Sequence, residues 1–149
     1  MRKGDEAPDF TLSDQDGVSR SLTKMLTDGP IVLFFYPAAM TKGCTAESCH
    51  FRDLAGEFAA IGAQRVGISM DDVAKQHEFG TKNSLAYPLL SDPDGSVAKL
   101  YGVKRSLGLL KVKRSTFVIG TDQRIVDVIT SEFDMNTHAD RALQALNAK

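Results

Sequence analysis

The apolar run IVLFFY, at positions 31–36, constrains the fold more than any other stretch of this sequence. It follows the punctuating pair Gly29-Pro30 and contains no polar residue, unlike a strand that keeps one face in water. A continuous apolar strand is typical of the centre of a sheet that is covered on both faces. We therefore expect residues 31–36 to form a central strand with helices on either side.

Strands and helices alternate after this strand. Apolar residues at helical spacing, with Gly62 as a stop, predict a helix over residues 44–61. A strand QRVGISM follows, then a helix capped by Asp71 that ends near Lys82, and then the short strand YPLLSD. This alternation predicts a parallel portion of the sheet.

The two ends of the chain add antiparallel elements. Residues 8–22 read as a hairpin that turns at Asp16-Gly17, and STFVIG and RIVDVIT read as a second hairpin. A short helix is expected over residues 96–101, and a last helix over residues 137–148. The prediction is one α/β domain over residues 1–149, with a central mixed sheet flanked by helices and an N-terminal β-hairpin.

Composition excludes several classes of partner. Lys and Arg number 18 against 19 Asp and Glu, which gives no basis for binding nucleic acid. The N-terminus lacks the apolar segment of a signal peptide, and no apolar run is long enough to span a bilayer. We therefore expect a cytoplasmic protein, in a compartment that keeps thiols reduced.

The only two cysteines, Cys44 and Cys49, lie in the stretch TKGCTAESCH. Their spacing is not the C-x-x-C that is typical of zinc sites and thioredoxin-type redox pairs. A disulfide between them would close so small a loop that it would stabilise the fold little. The pair therefore favours catalytic or redox chemistry over a structural bridge.

Cys44 is expected where the central strand passes into a helix, at the sheet edge where ligands gather. The N–H groups and dipole of a helix N-terminus favour an anion, and a thiolate is the nucleophilic form of cysteine. Thr41 can offer a hydroxyl to the same place, and Pro37 and Gly43 shape the loop. Cys44 is therefore the better nucleophile of the two cysteines.

Five residues of regular helix separate two Cα atoms by roughly 8.7 Å. A disulfide needs a Cα separation of about 4.4–6.8 Å, so a bridge between Cys44 and Cys49 requires a turn or two of helix to unwind. A chemistry that fits is oxidation of Cys44 to a sulfenic acid, with which Cys49 then condenses. The sequence thus predicts a reduced helical state and an oxidised, locally melted state.

These residues also carry a family resemblance. The stretch from Pro37 to Cys44, PAAMTKGC, matches the P-x-x-x-T-x-x-C signature of peroxiredoxins. With Cys49 inside CTAESC, the chain resembles the peroxiredoxin Q (bacterioferritin comigratory protein) subfamily. The segments GDEAPDFTL, FFYP, YPLLSDPDG, YGVK and RSTFVIG agree in order. The resemblance implies a thioredoxin-like fold and reduction of hydrogen peroxide and organic hydroperoxides.

The resemblance also implies roles for individual residues. Thr41 and Arg114, in the pattern R-x-[ST]-F, would hold the peroxide and the thiolate, and Glu47 would orient Arg114. Pro37 would shield the sulfur from water, while the backbone N–H groups of Gly43 and Cys44 could bind the substrate. No cofactor or metal is implied, and the partners would be a hydroperoxide and a thioredoxin-like or mycoredoxin-like reductant. The subfamily suggests a monomer.

Two departures from the family pattern concern substrate preference. Lys42 stands where the family often has proline, and could add positive potential. The loop Ala38-Ala39-Met40 replaces a more polar one, and Met40 could make the mouth of the pocket apolar.

Other interpretations remain open at this point. Cys49 could be a bystander in a one-cysteine peroxidase that an external thiol resolves. Thr41 could be a helix cap, and Glu47 could simply favour a helix N-terminus by its charge. His50 beside Cys49 raises a weak zinc hypothesis, whereas His77 and His138 are isolated in the sequence.

Whole-protein alternatives are a thioredoxin-type oxidoreductase and a redox sensor that binds a partner when the helix melts. The segment of residues 104–113, which contains Gly108 and three leucines, could be a flap or a contact surface.

Overall fold

A mixed β-sheet forms the centre of the protein in a computed structural model, which describes residues 1–106 and 111–148. Its strands are β1 (Thr11–Ser13), β2 (Ser19–Ser21), β3 (Ile31–Phe35), β4 (Gln64–Ser69), β5 (Leu89–Ser91), β6 (Ser115–Ile119) and β7 (Ile125–Thr130). Within the described residues the strand order is β2-β1-β5-β4-β3-β6-β7. Strands β3, β4 and β5 run parallel, and the others join them antiparallel.

Helices cover both faces of this sheet. They are α1 (Leu22–Met25), α2 (Lys42–Asp53), α3 (Ala55–Ala60), α4 (Val73–Lys82), α5 (Ser96–Leu100) and α6 (Thr137–Asn147). Residues of α1 and α5 pack in the cluster on one face, and residues of α2, α3, α4 and α6 pack on the other. The expected central mixed sheet flanked by helices, with an N-terminal hairpin, is therefore confirmed.

Strand β3 is central because its side chains alternate between the two cores. Ile31, Leu33 and Phe35 belong to one buried cluster. Val32 and Phe34 belong to the other, where Phe34 stacks on Phe51 of α2 with ring centroids 4.1 Å apart. All five residues of the strand are buried. The lack of polar alternation in the sequence is thus explained by two covered faces.

The antiparallel pairing of β6 with β3 positions the later functional residues. Phe35, the last residue of β3, lies opposite Ser115, the first residue of β6. The end of one strand therefore lies beside the start of the other. As a consequence, the residue before β6 reaches the same sheet edge as the loop that follows β3.

The helix expected over residues 44–61 is two helices with a break at Leu54, which corrects the prediction. The guanidinium of Arg65 donates to the Phe51 carbonyl at 3.0 Å. In a continuous helix that carbonyl would bond to the N–H group four residues later. The side chain from β4 therefore supplies a partner for a carbonyl at the end of α2.

Asp72, and not Asp71, caps helix α4. The Asp72 carboxylate accepts from the Lys75 N–H at 2.8 Å, as an N-cap residue does. Asp71 instead accepts from the Ala39 N–H and from the Ser69 hydroxyl, both at 2.7 Å. It thus ties the loop after β3 to the end of β4.

In the part of the chain that the structure describes, none of the helices combines the length and the apolar content needed to cross a membrane. Residues 107–110, the centre of the segment predicted as a flap or contact surface, lie outside the described residues.

Candidate active site

The loop between β3 and α2 delivers Cys44 to the edge of the sheet. Helix α2 begins at Lys42, two residues earlier than expected, so Cys44 lies in its first turn. Its side chain has 0% exposure, and Pro37, at the start of the loop, is also buried. Met40 packs against the cluster that contains Cys44 and adopts a positive φ of 70°. The thiol therefore lies at a helix N-terminus in an apolar setting.

Arg114 reaches Cys44 from the start of β6. Its Nη2 donates to the Cys44 Sγ at 3.3 Å, and its Nη1 donates to Glu47 Oε1 at 2.6 Å. Both side chains are almost completely buried, with 7% of the Arg114 side chain and 0% of the Glu47 side chain exposed. The fork of the guanidinium thus joins the sulfur to a carboxylate one helical turn further along α2.

Burial dominates the charge state of Glu47. It raises the pKa of this carboxyl to about 7, although the Arg114 guanidinium acts in the opposite direction. Burial alone would lower the pKa of Arg114, but Glu47 and Cys44 together raise it. Arg114 therefore stays a cation, whereas Glu47 changes charge near neutral pH. The net charge beside the sulfur then depends on the protonation of Glu47.

Two further side chains pack around Arg114. Glu132, after β7, accepts from the Arg114 backbone N–H at 3.1 Å and from Arg105 at 2.9 Å. Met135 lies over Gly43, where a Cβ would be 3.5 Å from its sulfur and 3.3 Å from Arg114 Nη2. The absence of a side chain at Gly43 thus leaves room for the guanidinium.

Thr41 is the N-cap residue of α2 by position, but its side chain makes no capping bond. Its hydroxyl donates to the Ala38 carbonyl at 2.7 Å, within the loop. The predicted role of Thr41 at the sulfur stays a prediction.

Cys49 lies in the same helix as Cys44, and the two thiols are not joined by a disulfide. The Cys49 thiol is partly buried and donates to Asn83 Oδ1 of the α4 terminus at 3.9 Å. Next to it, the Tyr87 hydroxyl donates to the Ser48 carbonyl at 2.8 Å. The Cys49 thiol therefore points towards the end of α4 and not towards Cys44. The hydrogen bond from Tyr87 to the Ser48 carbonyl helps to hold α2 in its helical form.

The zinc hypothesis for His50 finds no support among the described residues. His50 Nε2 pairs with Asp140 Oδ1 of α6 at 2.8 Å. In residues 1–106 and 111–148, no three His, Cys, Asp or Glu side chains are grouped so that they could hold a metal ion.

The sequence interpretation missed the role of α6 behind the site. His138, expected to be isolated, is completely buried, and its Nε2 lies 3.7 Å from Glu47 Oε2. Its Nδ1 bonds to the Thr116 hydroxyl at 2.8 Å. No spacing in the sequence links residues 47, 116 and 138, since only the packing of α6 on the sheet brings them together. The single signal available in the sequence was a histidine within the amphipathic pattern of the last helix.

Comparisons with known proteins agree with this geometry. The chain matches the AhpC/TSA family over residues 3–128. It is 59% identical to peroxidoxin BcpB from Mycobacterium tuberculosis, whose crystal structure matches with a TM-score of 0.95 over 99% of this chain and 97% of that one.

Peroxiredoxin Q from chloroplasts of Oryza sativa subsp. japonica is 39% identical over 99% of this chain and 68% of its own length. The structure of a bacterioferritin comigratory protein from Xanthomonas campestris matches at 30% identity with a TM-score of 0.85, covering 93% and 90% of the two chains. The resemblance stated from the motifs and the thioredoxin-like fold are therefore confirmed.

Proposed function

The chain belongs to the AhpC/TSA family and is a peroxiredoxin, a thiol peroxidase, and on this premise we propose that Cys44 attacks the peroxide and Cys49 resolves it. The observation that carries the proposal is the position of the Arg114 guanidinium, 3.3 Å from the Cys44 sulfur and paired with Glu47. A buried cation at this distance favours a thiolate and can orient the oxygen of a peroxide.

The first step is a displacement on oxygen. The Cys44 thiolate attacks the distal oxygen of the hydroperoxide, an S–O bond forms, and the O–O bond breaks. Two electrons pass from sulfur to the peroxide, and the leaving oxygen takes a proton to become water or an alcohol. Thr41 and the backbone N–H groups of Gly43 and Cys44 are proposed to hold the substrate, with Pro37 excluding water.

The second step joins the two cysteines. The Cys49 thiolate attacks the sulfur of the Cys44 sulfenic acid, the S–O bond breaks as the disulfide forms, and the leaving hydroxide takes a proton to become water. Since α2 runs without a break through both residues, their Cα atoms start roughly 8.7 Å apart, and the helix has to unwind first. The mechanism is thus that of a peroxidase with an intramolecular disulfide.

The substrate and the reductant are proposed from the chemistry of the thiol and from one relative. We propose hydrogen peroxide and organic hydroperoxides as substrates; the Xanthomonas campestris relative is described with alkyl peroxide reduction activity. A thioredoxin-like or mycoredoxin-like dithiol protein would reduce the disulfide, and the enzyme would work as a monomer.

Intact mass measured without reductant tests the proposal. Wild type, Cys44→Ser and Cys49→Ser receive one equivalent of hydrogen peroxide and are then mapped as peptides. We expect the wild type to lose two hydrogens in a Cys44–Cys49 peptide. Cys49→Ser should gain oxygen on Cys44, and Cys44→Ser should stay unchanged.

Each contrary outcome has its own meaning. Rapid oxidation of Cys44 with no bridge to Cys49 would leave a one-cysteine peroxidase that needs an external thiol. A Cys44 that peroxide does not modify would remove the assignment of the peroxidatic residue. Slow turnover combined with an interaction seen only after oxidation would favour a redox sensor.

A further inference from the structure

The Glu47 carboxylate has one oxygen that the site described so far leaves unexplained. Oε1 accepts from Arg114, but Oε2 is buried and has no hydrogen-bond partner among the described residues. A buried carboxylate oxygen without a donor is costly, so the polar groups beside it matter for the charge of Glu47. One of them is His138 of α6, whose Nε2 lies 3.7 Å from Oε2.

The hydrogen bonds of His138 determine which of its two ring nitrogens carries the proton. Nε2 lies 2.8 Å from the Ser131 carbonyl, which can only accept, so Nε2 carries the hydrogen. Nδ1 then accepts from the Thr116 hydroxyl at 2.8 Å. Burial lowers the pKa of His138, as does the Arg114 charge, while the bond to Ser131 raises it. The ring is thus a neutral imidazole with its N–H directed at Ser131 and close to Oε2.

We propose that His138 is a positioning residue of the peroxidase site, which keeps Glu47 ionised and thereby holds Arg114 against the Cys44 sulfur. The proposal rests on the proposed role of Cys44. The path is short and entirely buried, and runs from His138 to Glu47 over 3.7 Å, from Glu47 to Arg114 over 2.6 Å, and from Arg114 to the sulfur over 3.3 Å.

Other ionisable groups near Glu47 and His138 also affect the pKa values of these two residues. Glu132 raises the pKa of Glu47 by repulsion, after the larger effects of burial and Arg114. Glu132 and Asp134, from the segment between β7 and α6, act on His138, as does Arg114. Tyr87 faces Glu47 from the segment before β5, and its hydroxyl is neutral at these pH values because burial raises its pKa. The His138 N–H is bonded to the Ser131 carbonyl and lies 3.7 Å from Oε2, beyond hydrogen-bond distance, so it acts on the carboxylate as a nearby dipole.

The charge of Glu47 determines whether loss of the His138 side chain slows or accelerates the reaction of Cys44 with peroxide. Replacing His138 with leucine removes a dipole that favours the carboxylate, so the pKa of Glu47 should rise. At pH 7 more of Glu47 is then protonated, its attraction for Arg114 weakens, and Cys44 reacts more slowly with peroxide. At a pH above the new midpoint, the rate should recover to that of the wild type.

A carbon-13 titration of the Glu47 carboxyl, assigned by its loss in Glu47→Gln, measures the proposal directly and needs no peroxide. We expect the midpoint to rise by about one pH unit in His138→Leu and to stay near the wild-type value in His138→Gln, whose amide keeps an N–H. His77→Leu, at an exposed histidine of α4, is the control and should not move the midpoint.

The rate of Cys44 oxidation in a Cys49→Ser background gives the functional readout. His138→Leu should shift the acid limb of the pH profile upward by the same amount, with about a five-fold loss at pH 7. In a Glu47→Gln background the same change should cause no shift. A loss that is equal at every pH, and is unchanged by Glu47→Gln, would show that His138 only packs α6 and would overturn the proposal.

Two measurements keep the test decisive if His138→Leu does not fold. Thr116→Val leaves the ring in place but removes the donor to Nδ1, and we expect a smaller upward shift of the Glu47 midpoint. Nitrogen-15 shifts of His138 in the wild type should show a protonated Nε2 and a bare Nδ1, and the opposite tautomer would overturn the proposal. Failure of Cys44 to react with peroxide would instead refute the proposed function, since neither the titration nor the tautomer depends on it.

Discussion

Arg114 and Cys44 are 70 residues apart in the sequence, yet Nη2 of the one lies 3.3 Å from Sγ of the other. Two strands make this contact, because β6 begins beside the point where β3 ends. The second arm of the guanidinium is held by Glu47. The orientation of the cation at the sulfur is therefore set by a bidentate contact, and the charge alone would not reproduce it.

Arg114→Lys should slow the reaction of Cys44 with hydrogen peroxide by about 30-fold, equivalent to ~2 kcal/mol. Lysine keeps the positive charge but cannot contact the sulfur and Glu47 with two fixed arms. The second-order rate of Cys44 oxidation measures the effect. Arg124→Lys, at an exposed turn, is the matched control and should react at the wild-type rate. Equal rates for both variants would show that the two simultaneous contacts of the Arg114 guanidinium do not contribute to the reaction.

Gly43→Ala should reduce the same rate by about ten-fold, while the free energy of unfolding changes by less than about 1 kcal/mol. A Cβ at this position would lie 3.3 Å from Arg114 Nη2, so the guanidinium has to shift by a few tenths of an ångström, which disturbs its contact with the sulfur. Gly56→Ala in α3 is the control, because its Cβ would meet nothing within 4 Å. That change should stabilise the protein and leave the rate unaltered.

Tyr87→Phe should accelerate disulfide formation by about five-fold without changing the rate at which Cys44 is oxidised. It removes the hydrogen bond to the Ser48 carbonyl, worth about 1 kcal/mol, that resists unwinding of α2. Acid quenching followed by mass measurement separates the two steps.

Tyr101→Phe is the control for Tyr87→Phe. Its hydroxyl donates to the Pro8 carbonyl at the same distance of 2.8 Å, in the core on the other face of the sheet. It should leave the rate of disulfide formation unchanged. Similar acceleration in both variants would mean that general destabilisation, and not the contact with α2, sets that rate.

Glu47→Gln should change how stability depends on pH. Burial raises the pKa of Glu47 from 4.5 to about 7, so the folded protein binds a proton that the unfolded chain has already lost. Stability therefore falls as pH rises between these values, by about 3 kcal/mol for this group. Urea unfolding between pH 4 and pH 8 should show this loss in the wild type but not in Glu47→Gln. Glu78→Gln, at an exposed position of α4, should behave like the wild type.

Much of the scaffold could be predicted from local patterns. The unbroken apolar run at β3, the turn at Asp16-Gly17 and the late hairpin each appear in the structure, because each depends on neighbours in the sequence. The break at Leu54 could not be predicted in this way. It involves Arg65 of β4, a residue of the following strand that no helical periodicity includes.

The residues of the candidate site also fall into two groups, those that local sequence patterns or motifs predict and those that only tertiary packing brings to the site. Cys44 could be placed from its position between a strand and a helix, and Arg114 was found only because the motif around Phe117 resembles a known family. His138 and Glu132 reach the site through tertiary packing alone. Predicting their roles would have required knowing which residues α6 packs against. The apolar face of that helix indicates that it is buried but not what it meets.

The stacking of Phe51 on Phe34 has a kinetic consequence. It fixes the chain two residues beyond Cys49, so that in the proposed cycle the unwound segment is a short tether with both ends held. A thiol on such a tether meets its partner at an effective concentration on the order of millimolar or more. At lower concentrations, a soluble thiol therefore reacts with the Cys44 sulfenic acid more slowly than Cys49 does. The oxidised protein should therefore reach its own disulfide before it encounters a reductant.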